Sequence, residues 1–167
     1  MDAFLAIVSR REVREYDGRA LPEDVVRRIL EAGRLAGSSR NRQQRRFVVL
    51  HDAERVAGAV WSPGNIRGAA LLVAIVVSGK GPLALDAGRA AQNMLLAAHN
   101  EGVGSCPNGI SDSEAMAAAV GVAEGEAVAT VLSFGYPARV RDPERRSADE
   151  WIARANRKPF GEVVSER

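Results

Sequence analysis

An unbroken apolar run at residues 69–77, β-branched towards its end, is the feature of the sequence that most constrains the fold. The run is about half as long as a membrane-spanning helix would need to be. A short continuous run of this kind is typical of a strand that is buried on both faces. The rest of the chain must therefore supply the layers that cover a sheet on its two sides.

The bulk composition is that of an ordinary soluble domain. With 167 residues, of which 46% are hydrophobic and 26% charged, we expect one domain over residues 1–167. The only cysteine, Cys106, excludes an internal disulfide and favours a reducing compartment. No signal peptide or membrane span is recognised, so a cytoplasmic location is expected. With only two histidines we expect no metal site.

Positive charge is concentrated near the N-terminus. Residues 1–50 contain eleven arginines and seven acidic residues, in a chain whose net charge is +2. This excess predicts an anionic ligand such as a phosphate. It is too small for a dedicated nucleic-acid binder, and an aromatic content of 5% argues against base stacking.

Several helices are predicted from capping and periodicity. The expected starts are Asp2, Pro22 and Asp52, and Gly37 is expected to end the second helix. The strongest helix prediction covers residues 85–102. We expect Asp86 to cap it and its small, apolar faces to be buried nearly all round.

The second half of the chain contains further turn and strand signals. Residues 103–111 are predicted to be a loop, and strands are predicted at 47–50 and 127–134. Capping boxes are predicted twice. The residue pairs are Ser111 with Glu114 and Ser147 with Glu150.

The familiar catalytic motifs are missing from the sequence. The glycines around Gly104 do not form a dinucleotide fingerprint, no P-loop is present, and Ser133 lacks the first glycine of a nucleophile elbow. Cys106 is either a nucleophile or, as we prefer, a plain loop thiol. We therefore expect no catalytic side chain and favour an organic cofactor.

Five segments, in order, resemble the nitroreductase family of FMN-dependent oxidoreductases. The segment at 10–16, RREVREY, resembles the family's opening R-R-S-x-R-x-F. The segment at 36–43, AGSSRNRQ, resembles A-P-S-S-x-N-x-Q. The remaining three resemblances are the helix around Gln92 with the following GVGSC, the G-Y-P at 135–137, and RKPF at 157–160.

The resemblance implies FMN as the cofactor and assigns residues to it. Arg10, Arg11, Arg14 and Arg157 would bind its phosphate, since arginines pair with phosphates through charge-assisted hydrogen bonds. Ser38, Ser39, Asn41, Gln43 and Gln92 would face the ribityl chain and the polar edge of the ring. Two alternatives stay open: solvated surface charges at Arg11 and Arg157, and a dimer contact for Gln92 and Asn93.

The resemblance also implies a fold, an assembly and an activity. The fold would be α+β, a central mixed or antiparallel sheet flanked by helices, in an intertwined homodimer. The activity would be ping-pong hydride transfer from a reduced nicotinamide or deazaflavin donor, through FMN, to a nitroaromatic, quinone or enone acceptor. The alternatives are a non-catalytic flavin sensor or carrier and, less favoured, a basic module for nucleic acid.

Some residues depart from the family's pattern. Glu12 replaces a serine and must turn outward or pair with an arginine, while Gly37 replaces a proline. Gln44-Arg45 replaces Pro-Trp, which predicts a more open and more basic site. Residues 140–156 look inserted, so Arg145 or Arg146 could replace Arg157 at the phosphate.

Overall fold

The computed structural model describes residues 1–167 and divides into two compact units. The larger unit is Arg11–Val140, and the smaller one combines Met1–Arg10 with Arg141–Arg167. No helix in the structure combines the length and apolarity that crossing a membrane requires.

The larger unit is built on a four-stranded antiparallel sheet. Its strands are β1 (Arg45–Leu50), β2 (Leu71–Ser78), β3 (Gly104–Asn108) and β4 (Glu126–Gly135). Their spatial order is β1-β2-β4-β3, so β1 and β3 are the two edges. All three strand pairs are antiparallel, in agreement with the expected α+β class.

Strand β2 is buried on both faces, as its apolar run predicts. Val73 and Ile75 pack against α2 (Glu23–Arg34) and α5 (Leu83–Asn100), together with Ile29 and Met94. The alternate residues of β2 face a second core formed with three short helices. These helices are α3 (Ala53–Ala57), α4 (Gly64–Arg67) and α6 (Ser113–Val120).

The smaller unit contains α1 (Ala3–Ser9), α7 (Ala148–Ala153) and α8 (Phe160–Val163). Asp2 caps α1 by accepting the N–H of Leu5 at 2.9 Å, as predicted. The capping box of Ser147 and Glu150 at α7 is also confirmed. The four-residue α8 leaves Phe160 77% exposed, so the apolar tail has no core of its own to enter.

Several boundary predictions are wrong. Pro22 is the residue before α2, and the helix ends at Arg34, before Gly37. Residues 104–108 form β3, because the backbone of a short polar run pairs with β4 and needs no alternating pattern to do so. Asp112, whose carboxylate accepts the N–H groups of Glu114 and Ala115, caps α6 in place of Ser111.

The largest corrections concern α5. The helix begins at Leu83, so Asp86 lies inside its first turn and cannot be the cap. The expected burial on all sides is also wrong, because Gln92 and Asn93 are exposed and Leu85 is 62% exposed. Only the face of α5 that packs against α2 and the sheet is covered in the single chain.

Candidate cofactor site

A strained loop at residues 38–43 joins α2 to β1. Arg40, Asn41 and Gln43 have φ values of 52°, 53° and 53°, in the left-handed region that residues with a Cβ rarely occupy. Backbone hydrogen bonds from Asn41 to Ser38 and from Arg42 to Ser39 close the loop. Because such backbone strain concentrates at functional sites, the loop is a candidate binding element.

Two neighbouring elements hold this loop in place. The N–H of Ser39 donates to both carboxylate oxygens of Asp86, at 3.0 and 3.2 Å, and Asp86 is only 6% exposed. On the other side, Arg42 Nη1 donates to the carbonyl of Lys80 at 3.0 Å. The loop is therefore fixed both to α5 and to the turn between β2 and α5.

The loop presents polar groups that the chain leaves available. Ser38 Oγ accepts the N–H of Gln43 at 2.9 Å and keeps its own proton to donate. The hydroxyl of Ser39 and the amide of Asn41 have no side-chain partner, and the Gln43 amide makes only a long 3.5 Å contact with the Asn41 carbonyl. This set of hydroxyl and amide donors fits the hydroxyls and carbonyls of a flavin's ribityl chain and pyrimidine edge.

The segment at residues 11–16 lies at the other edge of the sheet, beside β3. The N–H of Val13 donates to the Ser105 carbonyl at 3.0 Å, and Tyr16 forms an isolated antiparallel bridge with Pro137. Glycines make room for both side chains. A Cβ at Gly104 would lie 2.7 Å from Val13, and one at Gly135 would lie 2.8 Å from the ring of Tyr16.

These contacts give a physical reason for two of the motifs. The second glycine of G-V-G-S-C, Gly104, receives Val13, and the glycine of G-Y-P, Gly135, receives Tyr16. The motifs therefore anchor the arginine-bearing segment to the sheet.

Glu12 pairs with an arginine of this same segment. Arg14 Nη2 donates to Glu12 Oε2 at 2.7 Å, and both side chains are partly exposed. This confirms one of the two arrangements expected for a carboxylate beside a phosphate site. Arg11, half-buried, lies one residue before Glu12.

The remaining predicted phosphate ligands belong to the smaller unit. Arg10 follows the last turn of α1 and is half-buried, whereas Arg157 is exposed and donates to the Ala155 carbonyl at 2.9 Å. Arg146, one of the two alternatives to Arg157, stacks over the ring of Trp151 at 5.0 Å. Phosphate binding by Arg10, Arg145, Arg146 or Arg157 stays a prediction.

Gln92 is exposed on α5, two turns after Asp86, and Asn93 Nδ2 donates to the Ala32 carbonyl of α2 at 3.3 Å. Asn93 therefore has a partner within the chain. Gln92 remains available to a ligand or to a second chain.

Two arginines next to the loop have structural partners. Arg45 reaches the end of α2, where its guanidinium donates to the carbonyls of Ala36 and Gly33, a favourable position for a cation. Arg46 pairs with Glu126 through contacts of 2.6 and 2.8 Å. One nitrogen of the Arg45 guanidinium is thus directed at the end of α2, and the charge that Arg45 adds to the site stays a prediction.

The pKa of Glu126 reflects its ion pair with Arg46. Its hydrogen bond with Arg46, helped by one from the N–H of Ala123, lowers the pKa of the Glu126 carboxyl to about 2. The pair joins β1 to the start of β4 and plays no part in the loop.

A buried polar network was not predicted from the sequence. Asn65 Nδ2 donates to Asn108 Oδ1 at 2.7 Å and to Ser133 Oγ at 2.8 Å. The hydroxyl of Tyr16 lies 3.0 Å from Ser133 Oγ and 2.9 Å from the Val13 carbonyl. Burial is the main reason that the pKa of Tyr16 rises to about 12. In the sequence, the only signal for this network is that Asn65 and Asn108 each lie close to an apolar run.

Cys106 lies in β3 and is 2% exposed, with its thiol 3.3 Å from the Pro107 carbonyl. The loop environment expected for this thiol is therefore wrong. A buried thiol within a strand is a poor nucleophile for an external substrate.

The two halves of the predicted site are far apart within one chain. The loop at 38–43 leads into edge strand β1, near the end of β2 at Ser78, while Val13 pairs with β3 at the level of Leu71. With about 4.8 Å between strands and about 3.4 Å per residue, diagonally opposite corners of the sheet lie roughly 28 Å apart. One chain alone therefore does not bring both halves around a single flavin ring.

Comparison with known proteins places this arrangement in a class. A family model described as "Putative TM nitroreductase" matches residues 2–167. The fold and this match define an oxidoreductase of the nitroreductase type. The chain belongs to the nitroreductase family.

Individual relatives agree with this assignment. A protein of Archaeoglobus fulgidus named "Putative NADH dehydrogenase/NAD(P)H nitroreductase" is 29% identical over 87% of this chain and 96% of its own length. A Desulfovibrio desulfuricans protein described as a "putative nitroreductase in complex with fmn" has 27% identity and a TM-score of 0.84 over 100% of this chain and 98% of its own. A nitroreductase family protein of Clostridium difficile shares the fold, with a TM-score of 0.83, 20% identity, and coverage of 99% and 98%.

Proposed function

We propose that the protein is an FMN-dependent oxidoreductase that takes a hydride from a reduced nicotinamide and passes the electrons to a small acceptor. The observation that carries the proposal is the fixed loop at 38–43, with its unused hydroxyl and amide donors. The Desulfovibrio relative, which is solved with FMN and covers the whole chain, supports the same cofactor. A bound FMN would supply the hydride-accepting ring.

The chain's own residues would bind and orient that group. Ser38, Ser39, Asn41 and Gln43 would donate to the ribityl chain and the pyrimidine edge, where negative charge develops on reduction. Arg11 and Arg14 would bind the phosphate, with Glu12 holding the Arg14 side chain in place. We assign no catalytic acid or nucleophile, because the flavin carries the chemistry.

We further propose that the active form is a homodimer with composite sites. The separation of roughly 28 Å between the two halves supports a site in which the loop of one chain meets the arginine segment of another. Exposed apolar side chains also support a second chain. They include Leu85 at 62% exposure on α5 and Phe160 at 77% in the tail.

The cofactor proposal is tested by the visible spectrum of the purified protein and by identification of any released chromophore. We expect a flavin spectrum, FMN in the supernatant, and bleaching when NADH, NADPH or a reduced deazaflavin is added. A flavin that no donor bleaches would support a non-catalytic sensor or carrier. A colourless protein that does not take up added FMN would overturn the proposal.

The composite site is tested by mixing two variants. One carries Arg11→Ala with Arg14→Ala, and the other carries Ser39→Ala with Asn41→Gly, which preserves the left-handed backbone. If each site draws on two chains, random exchange in a one-to-one mixture restores about one quarter of the sites, since half of the dimers then hold one intact site of two. If each chain holds a complete site, mixing restores none.

The donor, the acceptor and a cytoplasmic location belong to this proposal as well. The curated relative's name mentions NADH and NAD(P)H. Nitroaromatics, quinones and enones are the acceptors to assay first. Ordinary quinones and their sulfonated anionic analogues should be compared at low salt, because the site is expected to favour anions.

A further inference from the structure

Four cationic side chains next to the strained loop have no acidic partner. They are Arg40, Arg42, Lys80 and Arg89, and all four are exposed. Elsewhere in the larger unit ion pairs are common. The paired arginines are Arg14, Arg19, Arg28, Arg34, Arg46 and Arg67. Arg27 and Arg55 also lack an ion pair, so what distinguishes the loop is that four unpaired cations lie on it and on the elements it contacts.

Three separate elements bring these cations together. Arg40 and Arg42 lie in the loop, Lys80 in the turn that follows β2, and Arg89 on α5. Arg42 Nη1 donates to the Lys80 carbonyl at 3.0 Å. The guanidinium of Arg89 packs so closely on Gly37 that a Cβ there would collide with it. We call this group, Arg40, Arg42, Lys80 and Arg89, the loop cation cluster.

The carboxylate of Asp86, which holds the loop from α5, is already engaged. Asp86 is buried and accepts the N–H of Ser39, one turn before Arg89 on the same helix. Its charge fixes the loop backbone and does not pair with any cation of the cluster. Like charges on neighbouring elements repel one another, and a multiply charged anion would relieve that repulsion.

The chemistry of the cluster fits a phosphate monoester. A guanidinium group binds a phosphate through two parallel hydrogen bonds, and a lysine adds a compact positive charge. A monoester carries close to two negative charges at neutral pH and three acceptor oxygens. Surfaces for neutral ligands do not need this concentration of donors.

We propose that the loop cation cluster binds the 2′-phosphate of a reduced nicotinamide donor and so makes the protein selective for NADPH over NADH. The inference rests on the proposed function, since it places the donor's phosphate beside the loop assigned to FMN. It goes further in naming the donor and the residues that select it. Within one chain the cluster lies at the opposite corner of the sheet from Arg11 and Arg14, which are assigned to the FMN phosphate.

The test is calorimetric titration of the purified, FMN-loaded protein with 2′-phospho-ADP-ribose and with ADP-ribose. At low salt we expect the 2′-phosphate to strengthen binding at least about tenfold, which corresponds to about 1.4 kcal/mol. In the double variant Lys80→Gln with Arg89→Gln, the affinities for the two ligands should differ by no more than about threefold. Added salt should reduce the ratio of the two affinities in the wild type. The matched control is Arg27→Gln, an exposed arginine of α2 without an ion pair, which should keep the ratio.

Kinetics give a second measurement. The ratio of kcat/KM for NADPH to that for NADH should fall in the double variant, mainly through KM, while FMN content stays unchanged. Equal binding of the two ribose ligands by the wild type would overturn the inference, as would a ratio that the double variant leaves unchanged. Loss of FMN from the double variant would also overturn it, because the cluster would then belong to the flavin site.

The two proposals fail differently. Reduction by NADH and NADPH at the same rate would contradict donor selection and leave the FMN proposal intact. A protein without flavin would contradict the proposed function, and the calorimetric comparison could still be made on it.

Discussion

The carboxylate of Asp86 accepts the backbone N–H of Ser39 through both of its oxygens, at 3.0 and 3.2 Å. The two residues are 47 positions apart, and this bond fastens the strained loop at 38–43 to the first turn of α5. A buried acidic residue in a helix rich in alanine thus sets the conformation of the candidate cofactor loop.

Replacing Asp86 should loosen that loop. Hydrogen bonds to charged groups contribute about 1.5–3 kcal/mol, so we expect Asp86→Ala to raise the dissociation constant of FMN by roughly tenfold or more. Asp86→Asn keeps one acceptor oxygen and should have a smaller effect. Fluorescence titration of the apoprotein with FMN measures both.

The control for Asp86 is Asp52, which caps α3 by accepting the N–H of Arg55 at 3.1 Å. Asp52→Ala should lower the free energy of unfolding by about 1 kcal/mol and leave FMN affinity unchanged. Equal FMN affinities for Asp86→Ala and the wild type would show that the loop does not need this anchor.

Gly135 is expected to tolerate no side chain. Its Cβ would lie 2.8 Å from the ring of Tyr16, so Gly135→Ala must displace that ring and the segment before it. We expect a loss of about 1–3 kcal/mol in the free energy of unfolding. Gly64→Ala is the matched control, because nothing lies within 4 Å of a Cβ there. Urea denaturation of both variants makes the comparison, and equal stabilities would contradict the packing argument.

Stability at alkaline pH should depend on Tyr16. Burial raises the pKa of its hydroxyl from 10.0 to about 12, so the folded state holds this proton more tightly than the unfolded chain does. The contribution of the protonated Tyr16 hydroxyl to the free energy of unfolding is fully present below pH 10 and is lost as the pH rises from about 10 to 12. Tyr16→Phe should flatten this part of the decline when the free energy of unfolding is measured against pH. Parallel curves for the two proteins would contradict the prediction.

The Arg46–Glu126 pair should titrate independently of the loop. Because the pair lowers the pKa of Glu126 to about 2, its contribution to stability is present above pH 4.5 and is lost as the pH falls towards 2. Arg46→Ala should raise the pKa of Glu126 in an NMR titration of the side-chain carboxyls. FMN affinity should not change, and a marked loss of affinity would place Arg46 in the site after all.

Some patterns that act over short distances were read correctly from the sequence, although the caps expected at Asp86 and Ser111 were wrong. The apolar run around Val73 predicted a strand covered on both faces, and Asp2 and Ser147 predicted helix starts. The resemblance to the nitroreductase family was carried by short motifs in order, and the match over residues 2–167 confirms it. The glycines of two motifs turned out to be contact points for Val13 and Tyr16, which no local pattern could show.

What the sequence by itself determined was the class of fold, its covered strand, its family, and the polar loop as the place to look for a ligand. Only the tertiary structure decided which polar groups pair: Asp86 with Ser39, Glu12 with Arg14, and Arg45 with the end of α2. The physical reason is range. Periodicity and capping depend on neighbours within a turn or two, whereas a charged side chain takes whichever buried donor or acceptor the folded chain brings to it.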